Sequence, residues 1–137
     1  MEQYQKIVVT GFIYKEGKTL LVKRSKKESF LPEYWELPGG KVNFGESPEV
    51  GLMREYKEET GLEVAVGKPF RTFSYVSSDG RRHTVEIVYE CFLKKGEVVI
   101  SDAHSEFAWI AENDIKNLLI SEEMSKSVRE GFGLFVR

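Results

Sequence analysis

The sequence predicts one mixed α+β domain over residues 1–137, and three features lead there: a length suited to a single core, β-branched runs on both sides of one well-bounded helix, and no repeats or linkers. Apolar residues make up 41% and charged residues 31%, which suits a folded globular chain and not a disordered one.

In chain order, Ile7–Tyr14 is β-branched and aromatic and reads as a strand. Lys15-Glu16-Gly17-Lys18 reads as a turn, with Thr19–Arg24 as the hairpin partner. Ser25–Tyr34 is polar and predicts a loop able to reach over a site. Trp35–Gly40, WELPGG, is a short apolar piece ended by a proline and two glycines. A helix is predicted over Pro48–Thr60. Ser47 suits its N-cap, Pro48 its first turn and Gly61 its C-terminal stop.

Beyond the helix, Glu63–Val66 and Phe70–Ser77 look extended, and Ser78-Asp79-Gly80 is a turn. Arg82–Lys94 is the strongest strand signal, and Val98–Ile100 and Phe107–Ile110 are shorter ones. Two C-terminal helices are expected, Glu112–Ile120, capped by Ala111 or a neighbour, and Glu122–Glu130.

Charge and cysteine content narrow the function classes. Twenty Lys+Arg against 22 Asp+Glu leave a formal net charge of −2, without the basic bias of a nucleic-acid binder. A small anionic ligand stays open, because a few local cations suffice for one. Cys91 is the single cysteine, so no intramolecular disulfide is expected. The N-terminal residues lack the pattern of a signal peptide, and no apolar run approaches the roughly 20 residues that span a bilayer. A cytoplasmic protein without a membrane partner is the expectation.

The stretch that carries chemistry is Gly40–Leu62, GKVNFGESPEVGLMREYKEETGL. Each helical residue turns by about 100°, so with Arg54 as zero Glu58 falls at ~40°, Glu55 at ~100° and Glu59 at ~140°. Leu52, Tyr56 and Met53 fall at ~160°, ~200° and ~260°, which predicts a separate face for the core. Like charges at these spacings destabilise a helix by a few tenths of a kcal/mol per pair. A solvated acidic face is the commonest reason to carry them. A hard divalent cation bound by oxygens would offset the repulsion, and Mg²⁺ is typically held by a few carboxylates, waters and phosphate oxygens. Gly51, a mid-helix glycine, lies at ~60°, where it either opens room beside the carboxylates or is merely tolerated.

This stretch resembles the Nudix box, G-x5-E-x7-R-E-U-x-E-E-x-G-U with U bulky and aliphatic. Gly40, Glu46, Arg54, Glu55, Glu58, Glu59, Gly61 and Leu62 fall in register; Tyr56 departs from the pattern at a core-facing position. The resemblance implies an α/β/α sandwich with helices around a central mixed β-sheet, and Mg²⁺-dependent hydrolysis of a phosphoanhydride in a nucleoside-diphosphate-containing small molecule. Mn²⁺ is the expected substitute. It further implies Glu55 and Glu59 as metal ligands, Glu58 as a third ligand or the holder of a metal-bound water, and the Gly40 carbonyl completing the shell. Glu46 and Arg54 are implied in support, and Gly39 and Gly40 as substrate contacts. Arg24, at the end of the second strand, is placed to touch phosphate or is simply a surface arginine. Glu55, Glu58 and Glu106 are the candidate proton acceptors, and Glu106 reads equally well as an exposed loop carboxylate.

Phe30, Tyr34, Tyr75 and Tyr89 are able to stack on a base, although such aromatics are more often core. His83 and His104 have no metal-ligand spacing, and Cys91 reads as buried and inert. Family members are often dimers, so a homodimer is possible. Three other readings compete: a nucleotide-sensing module without catalysis, an isopentenyl diphosphate isomerase and an RNA decapping enzyme. The intact glutamate set argues against the first, the chain length and the placing of Cys91 against the second, and the charge balance against the third. The motifs that mark particular substrates have no clear counterpart, Pro69 and Tyr75 being out of place for two of them.

Overall fold

The structure, a computed structural model, describes residues 2–135. The expected domain limits Met1 and Arg137, with Val136, lie outside the described residues. The described elements are β1 (Tyr4–Ile13), β2 (Lys18–Arg24), β3 (Trp35–Glu36), β4 (Gly39–Lys41), α1 (Pro48–Thr60), β5 (Glu63–Val76), β6 (Arg82–Lys95), β7 (His104–Ala111) and α2 (Glu122–Phe135). They build two sheets. A mixed sheet runs β4-β1-β6-β5, with β1 parallel to β6, and an antiparallel one runs β3-β2-β7.

Alternation along β1 sets the layers, because successive side chains leave a strand on opposite faces. Val9 and Ile13 pack with Leu52 and Tyr56 of α1, Leu62, Tyr89 and Cys91. Phe12, on the other face, packs with Val88, Leu37, Met124, Val128 and Phe132. α1 and α2 thus cover opposite sides of the strands, which is the expected α/β/α sandwich.

Helix α1 spans its predicted residues because its limits are set locally. The Ser47 hydroxyl accepts from the Val50 N–H at 3.2 Å, and Gly61 turns left-handed at φ 77° while its N–H donates to the Lys57 carbonyl. Leu52 and Tyr56 are fully buried. Met53, expected on the core face, is 40% exposed. It lies about 80° round the helix from the midpoint of Leu52 and Tyr56, at the edge of the apolar stripe.

Several expectations are corrected. β1 and β2 do not form a paired hairpin: one isolated bridge, Lys15 with Lys18, joins them, and the two strands enter different sheets. Val98–Ile100 is not a strand. Its backbone serves the end of α1 instead, the Val99 and Ser101 N–H groups donating to the Thr60 and Glu59 carbonyls that a helix end leaves open. Glu112–Ile120 forms only a 3-10 turn over Glu112–Asn117, where Ala111 supplies no side-chain cap. The two extended pieces after α1 are one strand, β5, whose register slips around Val66–Arg71. Pro69, lacking an N–H, sits at that irregularity. α2 runs on to Phe135, and β7 begins at His104, earlier than expected. Among the described residues no helix is long and apolar enough to cross a membrane.

Candidate active site

The polar face of α1 meets the glycine pair of β4 at the rim of the mixed sheet. Gly39 pairs with Thr10 of β1, and a side chain there would run into the β1 backbone. A side chain on Gly40 would overlap the Glu55 carboxylate. The two glycines thus let the glutamates of α1 lie directly against the β4 backbone. Glu59 uses that closeness: its Oε1 accepts from the Gly39 N–H at 3.0 Å.

Arg54 organises the other carboxylates. Its Nε and Nη2 donate to the two oxygens of Glu46 at 2.8 and 2.9 Å, a two-pronged bond that the planar guanidinium suits. Nη1 donates to Glu55 at 2.9 Å and, more weakly, to Glu58 at 3.3 Å; Nη2 also reaches the Lys41 carbonyl at 3.0 Å. Glu46 accepts in addition from the Asn43 N–H, and its Oε1 would lie 2.9 Å from a Cβ on residue 51. The mid-helix glycine is therefore what lets Glu46 fold back onto α1.

The electrostatics differ along this face. The Arg54 hydrogen bond, with the Asn43 N–H, holds the Glu46 carboxyl down at about 2. Burial pushes Glu59 up to about 7 despite the opposing His104 charge and the Gly39 N–H, and burial likewise raises Glu55 against the pull of Arg54. One guanidinium serves three carboxylates, and Glu59 has none to itself.

The donor set fits a hard divalent cation. Glu55, Glu58, Glu59 and the Gly40 carbonyl offer only oxygens, and Glu55 and Glu59 are partly stripped of water with incomplete charge compensation. Among the described residues no three Asp, Glu, His or Cys side chains already form a closed metal cage. A Mg²⁺ site does not require one, since water and substrate phosphate ordinarily fill most of its six positions.

Two adjoining cavities open beside this face, sharing the wall formed by Arg24, Phe30, Glu36, Tyr75 and Glu86. The polar one, about 240 Å³, contains Gly39, Gly40 and Glu59 and is edged by Lys6, Lys41, Arg24 and Arg82. Burial, then the charges of Arg82 and Lys41, push the Lys6 amine down against the opposing charge of Glu55. The second cavity, about 310 Å³, is walled by Phe30, Tyr34, Trp35, Phe73, Tyr75 and Met124. Phe30, from the loop after β2, lies parallel to Tyr75 with ring centres 5.5 Å apart.

Of the residues singled out in the sequence, Gly39, Gly40, Glu46, Arg54, Glu55, Glu58 and Glu59 come together, and Arg24 lines the adjoining cavities. Arg24 is not free, being paired with Glu28 at 3.1 Å and Glu36 at 3.3 Å. Glu106 is not brought to the cavities; it is exposed on β7 and bonded to Lys23 at 3.1 Å. Tyr89 and Cys91 belong to the core, and burial pushes the Cys91 thiol up to about 12.

Sequence reasoning missed Glu36, Glu86 and His104. Glu86 sits on the buried period of β6 between Thr84 and Val88, and its carboxyl accepts from the Thr10 hydroxyl at 3.1 Å. A charged residue at an inward position of the strongest strand was the available signal. His104 and Glu36 are joined at 2.9 Å across 68 residues of sequence, which no local pattern announces.

Comparison with known proteins identifies the family. The NUDIX domain family model matches residues 5–130. The nucleoside triphosphatase NudI of Escherichia coli O139:H28 is 28% identical over 136 residues, covering 91% of this chain and 95% of that protein. An ADP-ribose pyrophosphatase of Methanocaldococcus jannaschii is 34% identical over 117 residues, covering 85% and 68%. Among solved structures, a MutT protein from Methanosarcina mazei Go1 superimposes with a TM-score of 0.85 at 26% identity, covering 100% of this chain and 99% of that one. A capped helix, a glutamate face ordered by one arginine and a family match over residues 5–130 point the same way: the chain belongs to the Nudix family of pyrophosphohydrolases.

Proposed function

We propose that this protein is a single-domain, Mg²⁺-dependent enzyme that hydrolyses the phosphoanhydride of a nucleoside triphosphate or ADP-sugar, releasing a nucleoside monophosphate and the phosphorylated remainder. One observation carries the reading: a cavity edged by four cations and the Glu59 carboxylate adjoins one walled by aromatic rings. A molecule with a flat ring at one end and phosphates at the other matches both. The names of the relatives, a nucleoside triphosphatase and an ADP-ribose pyrophosphatase, support these two substrate classes.

Glu55, Glu58 and Glu59, with the Gly40 carbonyl, would hold the cation. When bound, it would supply Lewis acidity at the phosphoryl oxygens and make water a stronger nucleophile at neutral pH. The chain does the rest. Lys6, Lys41 and Arg82 neutralise the phosphates, while Arg24 stays paired with Glu28 and Glu36 at the cavity wall, and Arg54 keeps Glu55 and Glu58 aimed. The water oxygen bonds to one phosphorus as that phosphorus loses its bridging oxygen, which leaves with the second phosphoryl group. The water's proton goes to a carboxylate; Glu58, exposed and only weakly held by Arg54, is the candidate wherever it holds the water rather than the cation. Mn²⁺ should replace Mg²⁺, since both are hard and take oxygen ligands.

A nucleotide-sensing module without catalysis would gain nothing from an arginine dedicated to orienting three carboxylates. The test is a panel of nucleoside triphosphates and nucleoside diphosphate sugars, incubated with purified protein and Mg²⁺. A nucleoside monophosphate with pyrophosphate or a sugar phosphate should be released from at least one of them, and EDTA should stop the release. Tight nucleotide binding with no turnover on any compound would favour the sensing module.

A further inference from the structure

Resting on the reading of Glu59 as a metal ligand, we propose that His104 is a positioning residue, fixing the direction of the Glu59 carboxylate from behind while Glu36 and Arg24 tie it to the ligand cavity.

Each link of this chain is visible. The His104 side chain is 1% exposed, and its Nε2 lies 2.9 Å from Glu36 Oε2. Its Nδ1 is buried with no hydrogen-bond partner, 3.9 Å from Glu59 Oε2. A buried ring nitrogen without a partner is uncommon and costly, so its placement asks for a reason. Glu59 gives one: its Oε1 is fixed by the Gly39 N–H, whereas Oε2, among the described residues, has the imidazole behind it. A small rotation of either side chain closes the gap, and both carboxylate oxygens are then oriented by protein.

The backbone serves the same arrangement. His104 of β7 faces Arg24 of β2, and the register shifts between Lys23 and Arg24. Such a bulge re-aims side chains, and here Arg24 and His104 both converge on Glu36, at 3.3 and 2.9 Å. Arg24 in turn donates to the Phe30 carbonyl at 2.8 Å, in the loop that walls the aromatic cavity. A continuous run of contacts therefore leads from that loop to the back of Glu59. Packing alone would not explain it, because an apolar residue would fill the space without stranding Nδ1.

Asparagine and glutamine separate the two ring nitrogens. The amide nitrogen of asparagine falls near the place of Nδ1, and that of glutamine near Nε2. Mn²⁺ affinity would be measured by electron paramagnetic resonance, without nucleotide, for wild type, Glu59→Gln, His104→Asn and His104→Gln, after melting curves confirm folding. Loss of an outer-shell partner typically weakens metal binding about 10- to 100-fold, so His104→Gln should lose about tenfold or more while His104→Asn stays within about threefold. Equal losses in the two variants, or wild-type affinity in His104→Gln, would overturn the positioning role even where Glu59→Gln binds poorly. Wild-type affinity in Glu59→Gln would overturn the ligand reading and this proposal with it. A readout on the unmutated protein covers the case in which the histidine variants do not fold. The ¹⁵N signal of His104 Nδ1 should move on Mg²⁺ addition in wild type and stay still in Glu59→Gln; an unmoved signal in wild type would refute the coupling.

Discussion

Glu46 and Glu59 stand at opposite ends of one acidic surface, and their surroundings could hardly differ more. Glu46 receives a two-pronged bond from Arg54 and another from the Asn43 N–H, which hold it down at about 2. Glu59 receives one backbone N–H, sits against the sheet and is pushed by burial to about 7. The first carboxylate is complete as it stands and anchors the loop before α1. The second is left short of positive charge at the mouth of a cavity edged with cations. On the proposed reading, the contrast separates a supporting carboxylate from one that would hold a cation.

The largest expected effect tests the incomplete end. Glu59→Gln keeps the shape and removes the charge, and turnover should fall by roughly 10²- to 10⁴-fold, the size seen when a directly acting group is lost. Melting temperature should hold or rise, because a buried, uncompensated carboxylate has been removed. Near-normal turnover would place Glu59 with Glu46 as mere support.

Arg54→Lys tests the satisfied end. The lysine keeps a charge but cannot grip Glu46 with two parallel bonds, so turnover should drop about 10- to 100-fold through misaimed Glu55 and Glu58. Kinetics unchanged from wild type would show that charge alone suffices.

Glu86 extends the comparison to the cavity wall. Burial raises its carboxyl to about 8 from the usual 4.5, the Thr10 hydrogen bond opposing. The folded protein therefore keeps a proton that the unfolded chain releases, and the stability this gives is lost as pH rises from 4.5 through about 8. Between pH 5 and 8, thermal melts of Glu86→Gln should fall less steeply than those of wild type; parallel curves would contradict the assignment. The smallest effect is expected at Glu106. With its carboxylate 57% exposed and paired to Lys23, Glu106→Gln should cost less than about tenfold in turnover. A greater loss would bring Glu106 into the chemistry.

What was legible in the sequence follows the same divide. α1 and its glutamates were readable because cap, stop and angular spacing are all local: Ser47 and Pro48 open the helix, Gly61 closes it, and 3.6 residues per turn do the rest. Strand pairing was not, since β1 and β2 adjoin in sequence yet each bonds along its length to a distant strand, β1 to β6 and β2 to β7, about 80 to 90 residues away. The second wall of the site went unseen for that reason. Glu36, Glu86 and His104 come from three strands in two sheets, and only the folded register brings them beside Glu59. Val98–Ile100 has the β-branched residues of a strand, but the backbone there, through the Val99 and Ser101 N–H groups, closes α1 rather than joining a sheet.

The central claim is that the acidic face of α1 holds a divalent cation against a substrate's diphosphate. Mn²⁺-induced broadening of the ³¹P signals of a non-hydrolysable nucleoside diphosphate analogue would measure that closeness directly. Strong broadening with wild type, lost in the Glu55→Gln/Glu59→Gln double variant while the analogue still binds, is the predicted result. Equal broadening in both proteins would contradict it.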